Sequence, residues 1–243
     1  GVSNMKSLIV TGGARGLCRA IALSASEKGY RVGALDMDGD ALEKTASELD
    51  NVVPLEASVT CIEEIYDAVS EFGETPDVWV NNAGIVRFAP LLELSIDDWK
   101  AVVDVNLPGT FICSKVAAEA MSERGSGSII NITSINGISA GTNSGAYGAT
   151  KSGISLLTQQ MSLEWGKLGL RINAIAPGLI DGGMSEPIYA DSHFRKLRTE
   201  KVPLGRLGTE DNIADAVLFL ASEEAHFFTG HELGVDGGII NSI

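Results

Sequence analysis

Tyr147 and Lys151 stand four residues apart in Tyr147-Gly148-Ala149-Thr150-Lys151, a spacing that puts both side chains on one face of a helix. A phenol titrates near about pH 10 in water and is a poor base at neutrality. A nearby ammonium stabilises the phenolate. Bringing the phenol close to neutrality takes roughly 4 kcal/mol, which two close cations in a partly dry cleft can supply. Such a tyrosine can pass a proton to or from a reacting oxygen. Alone, the pair is common on surface helices, so its meaning depends on its neighbours.

A second chemical segment is Thr11-Gly12-Gly13-Ala14-Arg15-Gly16-Leu17-Cys18, placed between an apolar run and a helical pattern. Glycines there let a pyrophosphate approach bare backbone N–H groups at a helix N-terminus. About twenty residues on, Asp36 falls at the end of the next apolar run. Its carboxylate can accept from adenosine ribose hydroxyls and repels a 2′-phosphate, which favours NAD over NADP. Arg15 works the other way, because a guanidinium beside Gly16 can hold a 2′-phosphate. NAD is the expected cofactor, with NADP as the alternative.

These segments need a scaffold, and the chain supplies a regular one. Ser7 to Val10, Tyr30 to Leu35, Val52 to Leu55, Val78 to Val80, Ser128 to Ile132 and Arg171 to Ile175 read as strands. Helical patterns such as Leu17 to Lys28 and Ala41 to Leu49 fill the gaps. The alternation predicts an α/β fold, a Rossmann-type doubly wound parallel sheet of about seven strands with helices on both faces. No repeat or linker divides the 243 residues, so residues 1–243 are expected to form a single dinucleotide-binding and catalytic domain. Residues 182–208 differ in character, with His193, Arg195, Lys196, Arg198, Lys201 and Arg206 in an otherwise acidic chain, and read as an excursion from that domain. The ordinary fate of such a basic run is a solvated helix face.

A net charge of −14 opposes nucleic acid and anionic membrane surfaces as partners. No apolar run approaches the roughly 20 residues that span a bilayer. Cys18, Cys61 and Cys113 are odd in number and irregularly spaced, which fits a reducing, cytoplasmic setting, and Cys113 is expected in the core. His193, His226 and His231 lack metal-site spacing, so no metal is expected. Gly1 to Asn4 carry no secretory pattern and read as a remnant ahead of Met5.

From Ser7 to Gly238 the chain resembles the classical short-chain dehydrogenase/reductases, and its motifs fall in that family's order. The glycine turn resembles Thr-Gly-x-x-x-Gly-x-Gly. Asn81-Asn82-Ala83-Gly84, Asn106 in Asp104-Val105-Asn106-Leu107, Ser134, the Tyr147–Lys151 pair, Pro177-Gly178 and Val235-Asp236-Gly237-Gly238 follow in turn. The resemblance implies that Tyr147 exchanges a proton with the substrate oxygen, that Ser134 hydrogen-bonds the same oxygen, that Lys151 holds the nicotinamide ribose, and that Asn106 positions a water. The bland rival for Asn106 is a helix-interior amide satisfied by backbone. The resemblance sets the dinucleotide against Gly12, Arg15, Gly16 and Leu17, then Asp36, Ser58 and Val59, and then Asn82, Ala83 and Gly84. Tyr147, Lys151, Pro177, Gly178 and Ile180 complete that set. It also implies a lid at about 182–208 and a homotetramer built on the helices around Asn106 and Tyr147 and on the C-terminal strand.

Three positions depart from the pattern. Cys18 replaces the third glycine, Ser58 replaces an aspartate for the adenine amino group, and Gly182 stands where many relatives carry threonine. All three touch cofactor binding, whereas the catalytic set is complete. The expected activity is therefore hydride transfer between NAD(H) and a secondary alcohol or ketone of a small-molecule substrate. Two rivals remain: an NADP-dependent 3-oxoacyl-carrier-protein reductase, suggested by Pro203-Leu204-Gly205-Arg206-Leu207-Gly208, and a non-catalytic dinucleotide-binding protein.

Overall fold

Valine- and isoleucine-rich runs become strands here because helices cover both faces of the sheet and leave no face for polar residues. The computed structural model describes residues 5–242, so the reading of Gly1 to Asn4 lies outside it. The strands are β1 (Ser7–Thr11), β2 (Arg31–Asp36), β3 (Val52–Glu56), β4 (Val78–Asn81), β5 (Gly127–Ile132), β6 (Leu170–Pro177), β7 (Ile180–Asp181), β8 (Gly208–Thr209) and β9 (Glu232–Val235). Seven of them form one parallel sheet in the order β3-β2-β1-β4-β5-β6-β9. The small β7–β8 pair stands apart and closes the base of the excursion at 182–208.

The helices are α1 (Gly16–Glu27), α2 (Gly39–Ser47), α3 (Ile62–Phe72), α4 (Ile96–Arg124), α5 (Tyr147–Trp165), α6 (Glu186–Tyr189), α7 (Ser192–Thr199) and α8 (Glu210–Ala221). Successive strand residues point to opposite faces. Leu8 and Val10 thus enter a core shared with Ile21 of α1 and Val217 of α8. Ile9 enters the other core, with Phe72 of α3, Val116 of α4 and Met161 of α5. Cys113 is fully buried in that second core, as expected.

Strand ends run slightly past the boundaries read from the sequence, and Asp36, expected at the end of the second strand, is the last residue of β2. Its backbone pairs in register with Glu56 of β3, which extends the ladder past the apolar run. The order reverses at β1, whose neighbours are β2 and β4, and ligands of doubly wound sheets bind at that switch point. Thr11 holds it together: its Oγ1 accepts from Asn82 N and Ala83 N, both at 3.1 Å.

A buried polar chain ties the sheet to α4 and α5. Trp79 Nε1 donates to Asn81 Oδ1, and Asn81 Nδ2 donates to Ser114 Oγ and Asn131 Oδ1, all at 2.8 Å. Asn131 Nδ2 continues to Thr158 Oγ1 at 3.0 Å. Asn131→Ala takes one hydrogen bond from each of two buried partners and leaves a cavity, so unfolding free energy is expected to fall by about 3 kcal/mol in urea titrations. A loss under about 0.5 kcal/mol would mean that the chain is dispensable.

Candidate active site

The C-terminal ends of the strands place the sequence-predicted residues along one rim. Ser134 follows β5, Asp36 ends β2, Pro177 ends β6, and Tyr147 opens α5 beside them. Ser134 is buried and its Oγ accepts from Asn136 N at 3.1 Å, while Tyr147 stays partly exposed. Lys151 is 4% exposed, and its Nζ donates to Ile132 O at 2.8 Å and lies 5.4 Å from the Tyr147 ring centre.

The electrostatics differ from the sequence expectation. Burial pushes the Tyr147 phenol above its ordinary value, and the Ser134 hydroxyl bonded to it only partly offsets this. Burial also pulls Lys151 down to about 8 from 10.5. The ammonium is committed to a backbone carbonyl, so the protein alone does not lower the phenol. A second cation in the cleft is needed for that.

Asn106 is fully buried, and its amide is spent on neighbours. Its Oδ1 accepts from Ile85 N at 2.8 Å, and its Nδ2 donates to Ile85 O at 3.0 Å and Thr150 Oγ1 at 3.2 Å. The side chain thus fixes the loop after β4 to α4 and α5, as its bland reading expected.

The glycine turn fits a dinucleotide pyrophosphate. Arg15, the N-cap of α1, makes no side-chain cap, so the first N–H groups of that helix have no side-chain acceptor there. Gly12 has φ +73°, and a Cβ on it would come within 3.2 Å of Ala83 Cα. Asp36 accepts from Ala14 N at 3.3 Å and Asp38 N at 3.1 Å, which fixes its carboxylate at the rim. These residues would hold a dinucleotide by backbone N–H groups at one end and a carboxylate at the other.

A family model described as enoyl-(acyl carrier protein) reductase matches residues 12–240. A 3-oxoacyl-[acyl-carrier-protein] reductase of Staphylococcus epidermidis is 37% identical, over 96% of this chain and 98% of that protein. A 2-dehydro-3-deoxy-D-gluconate 5-dehydrogenase of Formosa agariphila is 35% identical, over 98% of this chain and 94% of that protein. The crystal structure of a 3-oxoacyl-[acyl-carrier protein] reductase from Brucella melitensis with bound NAD superposes with a TM-score of 0.88 at 32% identity, covering 97% of this chain and 91% of that one. The chain is a short-chain dehydrogenase/reductase. It is an oxidoreductase that moves a hydride between a nicotinamide dinucleotide and an alcohol/carbonyl pair.

Against that background, the departures of this dehydrogenase/reductase have local explanations. The Cys18 thiol is fully buried, donates to Thr11 O at 3.0 Å and accepts from Asn82 Nδ2, so it joins β1 to the loop after β4. Burial drives that thiol far up, which leaves it protonated and unreactive. Ser58 Oγ shares a hydrogen bond with Thr60 Oγ1 at 2.8 Å, and Ser58 N donates to Glu64 Oε2 at 2.7 Å. Gly182 has φ +137°, and a Cβ there would meet Glu210 Oε1 at 2.8 Å. A threonine there is strained by the backbone and would have to push the Glu210 side chain aside.

Glu210 opens α8 and faces the turn, and a Cβ on Gly16 would meet Gly183 Cα at 3.1 Å and Glu210 Oε1 at 3.7 Å. Burial, then Asp211 and Glu186, push its carboxyl up, and Arg19 opposes them. Of the six basic residues of the excursion, Arg195 pairs with Asp181, Lys196 lies 3.9 Å from Glu200, and Arg198 stands over the Phe194 ring at 4.9 Å. That matches the solvated-face reading. Sequence reasoning did not single out Glu210 or Glu232, since a lone glutamate carries no spacing signal. Among the described residues no helix is long and apolar enough to cross a membrane.

Proposed function

We propose that this enzyme prefers NAD and interconverts a small secondary alcohol and its ketone, with Tyr147 as acid/base. Tyr147 gives a proton to the carbonyl oxygen in reduction and takes it back in oxidation. Ser134 donates a hydrogen bond to the same oxygen as charge develops on it. Lys151 orients the ribose beside the nicotinamide, and Asn106 fixes the loop that carries Gly84 and Ile85. A bound nicotinamide would supply the hydride chemistry and, in its oxidised form only, the second positive charge that the raised phenol lacks. The excursion at 182–208 acts as the substrate lid, anchored at its base by β7 and β8.

The acidic rim carries the cofactor choice. Asp36, Asp38, Asp40 and Glu56 line one pocket at the ends of β2 and β3. Arg15, the cation that stood for NADP, is tied to Asp38. A 2′-phosphate would enter among four carboxylates, and the exposed Arg15 would have to leave Asp38 to meet it. The relative from Brucella melitensis with bound NAD is consistent with this.

Calorimetric titration with NADH and NADPH tests the choice. NADH is expected to bind tighter, and Asp36→Ala should shift the NADH/NADPH affinity ratio by about 100-fold towards NADPH. Tighter NADPH binding by the unaltered enzyme would overturn the preference. The name of the Staphylococcus epidermidis relative favours a 3-oxoacyl-carrier-protein substrate instead. A net charge of −14 opposes docking of an acidic carrier, so small free substrates are the better candidates. Exposed Phe111 of α4, Leu156 and Leu163 of α5, and Phe227 ahead of β9 support a homotetramer as the working assembly.

A further inference from the structure

Three consecutive residues at the end of β5 meet the face of α5, and each meeting is made differently. Ile132 O takes the Lys151 ammonium at 2.8 Å. Ser134 stands beside the Tyr147 phenol and favours its ionised form. Between them, Thr133 does not reach α5 by itself. Its Oγ1 donates to Glu232 Oε1, and Ser155 Oγ donates to the other oxygen, Glu232 Oε2, at 2.7 Å. Tyr147, Lys151 and Ser155 are four residues apart in turn, so they share one face of α5. The middle connection therefore runs through a carboxylate supplied by β9, at the edge of the sheet.

Both partners of that carboxylate are neutral hydroxyls, so each oxygen works as a charged acceptor. Such bonds are shorter and roughly twice as strong as neutral ones. Thr133 is buried, and its Oγ1 also lies 3.0 Å from Ile175 O, which leaves it a second acceptor if Glu232 is lost. Ser155 has no such reserve on the strand side. Without the carboxylate, the Asn131–Thr158 bond still joins the later part of α5 to β5. Among the described residues, the stretch from Tyr147 to Ser155 then keeps a single hydrogen bond to that strand, from Lys151 to Ile132 O. Proton transfer is steep in the spacing of α5 from Ser134, since a displacement of about 1 Å can cost about 100-fold in rate.

We propose that Glu232 is a positioning residue: by bridging Thr133 and Ser155 it holds α5 against the end of β5 so that the Ser134 hydroxyl meets the Tyr147 phenol. This rests on the catalytic reading of Ser134 and Tyr147 given above. It requires both arms of the carboxylate, and it predicts that a side chain of the same shape with an acceptor and a donor does most of the same work.

Ultraviolet titration of tyrosinate, with and without saturating NAD, tests this without a known substrate. The Tyr147 signal is isolated by subtracting the Tyr147→Phe protein, for each of the unaltered enzyme, Glu232→Ala, Glu232→Gln and Ser155→Ala. Glu232→Ala should weaken Tyr147 ionisation about tenfold, because Ser134, which favours the phenolate, is no longer held beside it. Ser155→Ala, which removes one arm, should move it the same way by less. Glu232→Gln should restore most of it, because Oε1 still accepts from Thr133 and Nε2 can donate to Ser155. With ethyl acetoacetate as the carbonyl probe, kcat should fall about tenfold in Glu232→Ala with NADH affinity unchanged. A lowered melting temperature with an unmoved Tyr147 titration would overturn the proposal, as would a Gln variant as impaired as Ala. Failure of the catalytic reading shows separately, as a Tyr147→Phe enzyme that still turns over the probe.

Discussion

Tyr147→Phe should lower kcat by about 1,000-fold or more and leave NADH affinity within about twofold. The substitution removes one oxygen and little volume. Ser134 remains to donate to the substrate oxygen, so some electrostatic stabilisation survives, but no group is left to exchange the proton. The direction of the phenol's shift adds a pH signature. Burial holds Tyr147 above its ordinary range, so the residue is protonated throughout the neutral region. Carbonyl reduction, which uses the protonated phenol, should therefore be flat across neutrality and decline only in alkali. Alcohol oxidation needs the phenolate and should climb as pH rises. Stopped-flow or steady-state rates in both directions decide this. A Phe variant within tenfold of the unaltered enzyme, or oxidation that falls as pH rises, would remove Tyr147 from the mechanism.

The parts of this enzyme that local spacing encodes are legible in the amino-acid sequence. Short β-branched runs alternating with helical periods gave the parallel sheet, because strand and helix periods are local properties. Asp36 and the Tyr147–Lys151 pair were found the same way, one by its distance from the glycine turn and the other by a single helical turn. What stayed hidden depends on residues distant in sequence. Arg15 looked free for a 2′-phosphate, and its tie to Asp38 needs the approach of the β1 and β2 ends. The Tyr147–Lys151 pair suggested a lowered phenol, whereas Lys151 turns to Ile132 O on the neighbouring strand. Glu232 is 99 residues from Thr133 and 77 from Ser155, a relation that no window along the chain can reveal. Gly182 read as a loss, and only its positive φ and its packing on Glu210 show why a side chain is disfavoured there.

Lys151→Met should lower kcat by about 100-fold or more and also change how stability depends on pH. In the native state burial holds the Lys151 ammonium down at about 8, below the 10.5 of the free side chain. Below pH 8 both native and unfolded chains bind this proton, so the full cost of burying the charge is present. Between about 8 and 10.5 the unfolded chain keeps the proton while the native chain releases it. Unfolded molecules then bind more protons, and stability rises with pH over that interval. Relative to the Lys151→Met variant, which lacks the group, the unaltered enzyme should gain up to about 3 kcal/mol. Urea unfolding of both proteins at about pH 7 and about pH 10 measures the difference, with groups common to both cancelling. The reason to expect a gain is structural: the charge faces one carbonyl and has no carboxylate beside it, so burial dominates its energetics. A difference that stays constant, or that moves against the unaltered enzyme as pH rises, would mean that Lys151 is better solvated than its packing implies. It would then be free to act on the phenol directly, and the need for the nicotinamide's charge would disappear with it.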